Sequence, residues 1–347
     1  GEAGRAVALV TDLEAALDAS VPARVRARLA ILHADACRLE GRYDDAAAWL
    51  ERAEGFETEL DHAERARTYA VRGAVARERG LRDSMVSAYR DALARAELAS
   101  DPALVASCAR WVGIGHLDAG EPDRATPFLE RALETAVTSG DGIGIARSRM
   151  TLGIAARLAG RPDEARAHLT RAAEGMQAAG ARGGLADCLN ALGELERGLG
   201  APARAAEHYL RAAALHEALG SRSEAVARLN LGLALIDDGR AQEARPVLRA
   251  SLATFDRQGR QGLVAGARVA LLECAASVGD WADWDLQLGA ARARLEETGF
   301  AAVDLAKSTE RAADRARENG DDRRAVDALR IASAQWRALG RPEDAAR

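Results

Sequence analysis

The sequence predicts an all-α fold, a solenoid of antiparallel helix pairs. Three observations carry that reading. Glycine recurs at Gly41, Gly80, Gly120, Gly160, Gly200, Gly239, Gly279 and Gly320, at spacings of 39 to 41 residues. A fixed pattern follows each glycine: a small or apolar residue five places on, a large one four further, and a small one three beyond that. Residues Ala125-Leu129-Ala132, Ala165-Leu169-Ala172 and Ala205-Tyr209-Ala212 are three instances. Finally, the chain is 48% hydrophobic yet only 4% aromatic. Its apolar content is mostly Ala and Leu, which suits helices packed closely through small side chains. A period of this size marks a stacked repeat array. It overrides the two or three globular domains that the length alone suggests, because a solenoid grows by adding units.

The elements follow in order. A leading half-repeat occupies residues 1–20. Eight repeats then span 21–59, 60–99, 100–139, 140–179, 180–219, 220–258, 259–298 and 299–339, and a further element starts at 340–347. The repeat at 180–219 shows the grammar. Leu185, Leu189, Leu192, Leu195 and Leu199 fall at helical spacing and end at Gly200, suited to a left-handed cap. Pro202 sits in the first turn of the next helix, where its missing N–H costs nothing. Ala205, Tyr209 and Ala212 form that helix's inner stripe, and Gly220 ends it. Gly140, Gly180, Gly220, Gly259 and Gly299 mark the turns between units. Pro122, Pro162, Pro202 and Pro342 each stand two places after a turn glycine. Asp163 and Glu164 place negative charge at a helix N-terminus, where the macrodipole favours it. In the repeat at 259–298, Trp284 replaces the usual Ala, so that unit must repack locally or distort and dock a neighbouring domain. At 299–339 the large inner residue is Leu329.

Net charge is −5, with 48 basic and 53 acidic residues, so no strong field favours nucleic acid or an anionic membrane. Almost every basic residue is Arg; Lys307 is the only lysine. Cys37, Cys108, Cys188 and Cys274 lie in different repeats without paired spacing, and read as buried free thiols in a reducing cytoplasm. No apolar run approaches the length of a membrane span. No His pair has metal-ligand spacing, so no metal or cofactor is expected. Residues 140–144, Gly-Asp-Gly-Ile-Gly, lack the strand and the Lys-Ser/Thr of a phosphate loop and read as an inter-repeat turn. No grouping of carboxylates and serines suggests catalysis, so the chain reads as non-enzymatic.

The pattern resembles the tetratricopeptide repeat. Leu152-Gly153, Leu192-Gly193 and Leu231-Gly232 match its first-helix Leu-Gly, followed by Ala165-Leu169-Ala172, Ala205-Tyr209-Ala212 and Ala244-Leu248-Ser251. Ala34, Leu272 and Ala313 stand where that glycine is expected. The long period is similar to that of receptor-adaptor proteins and of large bacterial regulators and kinases. The stretch from Trp336 to Ala346 is similar to the last repeats of multidomain bacterial regulators. The resemblance implies a right-handed superhelix whose first helices line a concave face that binds peptides or partner domains. The chain starts without Met, and is expected to be a piece of a longer signalling or regulatory protein.

On that geometry, the groove-facing positions of the first five pairs include Arg28, Arg38, Arg67, Arg77, Arg110, Arg147, Arg157 and Arg197, diluted by Asp35, Glu78, Asp118, Asp187 and Glu194. Arg38, Arg77, Arg110, Arg147, Arg157 and Arg197 are the candidate partner-binding residues. An Arg-lined groove suits an acidic or phosphorylated segment, because guanidinium contacts carboxylate and phosphate bidentately. The family's Lys-Asn-Asn-Lys clamp is not met. The leading expectation is a protein–protein interaction scaffold. The alternatives are a ligand- or peptide-sensing receptor domain gating an effector, and a structural spacer or oligomerisation arm.

Overall fold

The structure, a computed structural model, describes residues 2–15 and 21–344. Residues 1 and 16–20 of the predicted half-repeat, and 345–347 of the predicted last element, lie outside them. Among the described residues there are seventeen α-helices and no strand. The chain forms two compact units, Gly1–Ala181 and Arg182–Arg347. The division falls at the turn expected between the fourth and fifth repeats.

The first unit opens with α1 (Glu2–Ala15), followed by four helix pairs. These are α2 (Ala23–Leu39) with α3 (Tyr43–Glu54), α4 (His62–Glu78) with α5 (Arg82–Ala99), α6 (Pro102–Asp118) with α7 (Pro122–Ser139), and α8 (Gly142–Leu158) with α9 (Pro162–Ala178). A 3₁₀ turn, Glu57–Glu59, joins α3 to α4. Gly160 shows why the helices stop where they do. Its φ of 73° is a left-handed turn that a side chain disfavours, and Pro162 starts α9 just beyond it. At the end of α5 the same conformation falls on Ser100, at φ 53°. Of residues 140–144 only Gly140 and Asp141 form the turn; Gly142 to Gly144 are already the first turn of α8, where the Asp141 carboxylate accepts from the Gly144 N–H at 2.9 Å and caps the helix.

Pairs interlock through one close approach. A methyl group added at Gly153 would meet the Leu169 side chain at 2.6 Å. Gly73 stands in the same relation to Tyr89, and Gly113 to Leu129. The missing Cβ on the first helix is therefore the space that the large residue of the second helix fills. Ala125, Ala132, Ala165 and Ala172 are fully buried, as their spacing predicts. Each fully buried Leu contributes about 1.5–3 kcal/mol.

The second unit contains α10 (Arg182–Gly198) with α11 (Pro202–Ala218), α12 (Glu224–Asp237) with α13 (Ala241–Arg257), α14 (Gln261–Val278) with α15 (Trp281–Thr298), and α16 (Val303–Glu318) with α17 (Asp322–Ala338). Ala205, Ala212 and Ala244 are fully buried. Ser251, in an alanine's place, donates its hydroxyl to the Ala225 carbonyl at 2.7 Å, which satisfies a buried polar group.

Two expectations need correction here. Leu329 does not fill the inner slot of the last pair and is 41% exposed. Ala313 leaves no gap of the glycine kind, and Ile331 and Trp336 are buried instead. The expectation that no apolar run approaches a membrane span overlooked α14, which is 18 residues long and apolar enough by composition. Its apolar character is explained by packing: α13, α15 and α16 surround it, and Val264, Val269, Leu271 and Leu272 are fully buried. Trp284 resolves by local repacking. It lies wholly inside the core with Leu272, Leu288 and Ala312, edge-on to Trp281 at 6.0 Å.

Candidate functional site

The inner faces of α2, α4 and α6, with Tyr89 of α5, enclose a cavity of about 500 Å³ within the first unit. It follows from the helix pattern. Small and branched residues at Ala70, Val71 and Ala74 keep the floor low, and longer side chains one turn away build the walls. The wall combines four arginines, Arg38, Arg67, Arg77 and Arg110, with two carboxylates, Asp35 and Glu78. Trp111, Ile31 and Ile114 add half-buried apolar surface.

The arginines differ in what holds them. Arg38 donates from Nε to Asp35 Oδ1 on its own helix at 2.8 Å. Arg77 bonds Asp118 of α6 through Nε and a terminal nitrogen. Glu78 accepts from the Tyr43 hydroxyl at 3.3 Å. Outside the cavity, Arg24 and Arg28 converge on Glu64, whose side chain is 6% exposed. Burial disfavours that carboxylate, yet the Asp61 N–H and the two guanidiniums outweigh it and hold its pKa below the usual range. Arg110 is half-buried, and its pKa is pushed down to about 10, by burial first and by the Arg147 charge second. Arg147, on α8, is exposed.

Of the predicted site residues, the cavity thus brings Arg38, Arg77 and Arg110 together, with Arg147 near enough to act on Arg110. Arg157 sits half-buried on α8 and does not line the cavity. Arg197 belongs to the second unit, where its Nε donates to Asp237 Oδ2 of α12 at 2.6 Å. Arg197–Asp237 and Arg77–Asp118 are one device. An arginine four places after the glycine position pairs with an aspartate five places after it in the next repeat. The two pairs span 40 and 41 residues, one repeat each. Beside Arg197, Asn230 donates to Asn190 Oδ1 at 3.0 Å, and Asn190 to Glu194 Oε1 at 2.9 Å.

Trp111 and Tyr89 were missed as site residues, although a lone Trp on an Ala- and Leu-rich helix was a usable signal. Two histidines pack against aromatic rings. His33 stacks on Trp49 at 4.1 Å, and His116 stacks on Phe128 and bonds Glu121 at 2.9 Å. His168 and His208 have their pKa values lowered, chiefly by burial. The four cysteines are free and buried, and burial pushes Cys108, Cys188 and Cys274 up to about 12. In the second unit, Glu273 of α14 is fully buried against Arg311 of α16, at 3.0 Å. Burial raises its pKa despite that partner. Among the described residues, no group of three His, Cys, Asp or Glu side chains is placed to hold a metal.

Comparisons with known proteins bear on this architecture. A Rap protein complexed with Competence and Sporulation Factor aligns at 15% identity over 99% of this chain and 94% of its own, with a TM-score of 0.66. The apo quorum sensor NprR from B. thuringiensis aligns at 13% identity over 93% and 90%, also at 0.66. The Rap conjugation gene regulator of plasmid pLS20, in complex with the Phr* peptide, aligns at 16% identity over 79% and 76%, at 0.57. At these identities the likeness is one of fold. No curated protein sequence matches the chain. The tetratricopeptide repeat family model matches residues 103–178 and 144–218, the stretches where Leu-Gly and the Ala-large-Ala stripe are most regular. Over residues 103–218 the chain thus matches the tetratricopeptide repeat family, and both units carry the same helix-pair fold.

Proposed function

We propose that the chain is a non-enzymatic scaffold that holds an extended segment of a partner protein or peptide in the first-helix groove of residues 1–181. The cavity between α2, α4 and α6 carries this reading: it pairs an apolar floor and a Trp with an excess of arginine over carboxylate. Such a lining suits a segment with apolar and acidic or phosphorylated side chains. Arg38, Arg77, Arg110 and Arg147 are the proposed contacts there, and Arg157 and Arg197 remain proposed contacts at the equivalent row. The four buried, unbridged cysteines support a reducing, cytoplasmic setting. The eight-repeat division along one array is retained as part of the proposal, as is a place in a larger bacterial signalling or regulatory protein.

The ligand-sensing alternative is favoured by one observation: two of the aligned structures are complexes with Competence and Sporulation Factor and with the Phr* peptide. A sensor should respond to a short ligand alone by a rise in melting temperature, through linkage. The test selects random linear peptides on the chain and repeats binding with Ile114→Glu, which puts a carboxylate on the cavity wall. The expected result is peptides that bind the wild type and lose most of their affinity to the variant. Selected peptides that bind both proteins equally would rule out the groove.

A further inference from the structure

We propose that Arg67, Arg110 and Arg147, on the successive first helices α4, α6 and α8, form an anion site that takes one oxyanion group of the bound segment. The inference rests on the groove reading above and goes on to name the chemistry of its anchor. The six arginines foreseen from the repeat pattern do not behave alike. Arg38 and Arg77 are neutralised by Asp35 and Asp118, and so cannot offer a full charge to a ligand without breaking an existing ion pair. Arg24 and Arg28 are likewise engaged by Glu64. The guanidiniums of Arg67, Arg110 and Arg147 have no carboxylate partner among the described residues.

Arg67 and Arg110 line the same cavity from neighbouring helices, and the charge of Arg147, on the next first helix, acts on Arg110. Arg110 is half-buried, so it has given up water without gaining a partner. The groups that act on it most are Arg147, Tyr89 and Cys108, none of them a carboxylate. A desolvated cation facing a second cation is unfavourable in the empty protein. A carboxylate or phosphoryl group between them would reverse the sign of both effects and offer acceptors to planar guanidinium forks. Trp111 and Ile114, beside Arg110 on the cavity wall, suit an apolar residue next to the anion.

The inference separates Arg110 from a structural arginine. An arginine that supports the fold lowers stability when it is replaced. One that waits for a ligand leaves stability unchanged or raises it, because replacement removes a desolvated like-charge contact. The experiment uses the whole chain as wild type, Arg110→Leu, Arg67→Gln and, as a charge control outside the cavity, Arg24→Gln. Melting temperature is read without ligand and in inorganic phosphate. Binding is read with three pools of octapeptides that fix the central residue as Ser, phosphoserine or Glu and randomise the rest. Melting of Arg110→Leu at or above the wild-type temperature is expected, as is protection of the wild type but not of Arg110→Leu by phosphate.

The wild type should retain the phosphoserine or the Glu pool about tenfold or more over the Ser pool, the scale of a charge-assisted hydrogen bond. The preference should vanish in Arg110→Leu, shrink in Arg67→Gln, and change less than about threefold in Arg24→Gln, which lies outside the cavity. Which of the two charged pools is preferred distinguishes a phosphorylated segment from an acidic one. Equal retention of all three pools overturns the anion site. If that retention is lost on Ile114→Glu, the groove reading stands without it. If no pool is retained, the groove reading fails, and phosphate protection alone then decides the anion site. A lower melting temperature for Arg110→Leu would make Arg110 a structural residue and overturn the proposal.

Discussion

Gly153 and Leu169 occupy one space between them. The glycine has no Cβ, and the leucine side chain fills the gap at what would be 2.6 Å from that atom. A Gly153→Ala substitution would raise local helix propensity, a gain of about 1 kcal/mol at an exposed site. Here overpacking opposes it at about 1–3 kcal/mol, so the net effect is expected to be destabilising. Chemical denaturation of the variant checks this, and a midpoint at or above that of wild type would mean that the pair is not interlocked there. The first-helix glycine and the second-helix large residue were both visible in the sequence as positions of a motif. What the sequence could not give was the exception at Leu329. Whether a large side chain turns inward depends on the partner position, here Ala313, and on what else competes for the core, here Ile331 and Trp336.

Successive first helices are tied by polar side chains as well as by packing, and this is where the sequence reading of the site was least complete. Arginines such as Arg77 and Arg197 were legible as a row at one repeat position. Their aspartates, Asp118 and Asp237, were legible only as a diluting charge or not at all, because pairing across 40 residues is a property of neighbouring helices. The unpaired character of Arg110 needed the structure for the same reason. Second helices carry a different polar feature. His168 on α9 and His208 on α11 occupy the same repeat position, and burial holds both below the usual histidine range. The unfolded chain therefore takes up protons first as pH falls. The stability associated with the neutral rings is present above about pH 6.5 and is lost as pH drops through the lower folded-state values. The melting temperature of wild type should fall between about pH 7 and 5. A His168→Gln/His208→Gln variant should lose less over that interval. An identical pH profile for the two proteins would assign the loss to other groups.

At the scale of the molecule, each unit carries the same construction and differs in its polar lining. The first unit concentrates its arginines with Trp111 around one cavity, whereas the second pairs Arg197 with Asp237 and hydrogen-bonds Asn230 to Asn190. The fold class was legible because a forty-residue period repeats its glycines and alanines eight times over, and each copy checks the others. The site was legible only as a face. Which residues on that face share a cavity depends on side chains from α2, α4, α5 and α6 meeting across the repeats. The central claim is that a partner segment lies in that cavity. Placing a photo-crosslinking amino acid at position 114, inside the cavity, or at position 210, an exposed site on α11, tests it most directly. With a peptide selected on the wild-type chain, the account predicts covalent capture from position 114 and none from position 210. Capture from position 210 with none from position 114 would contradict it.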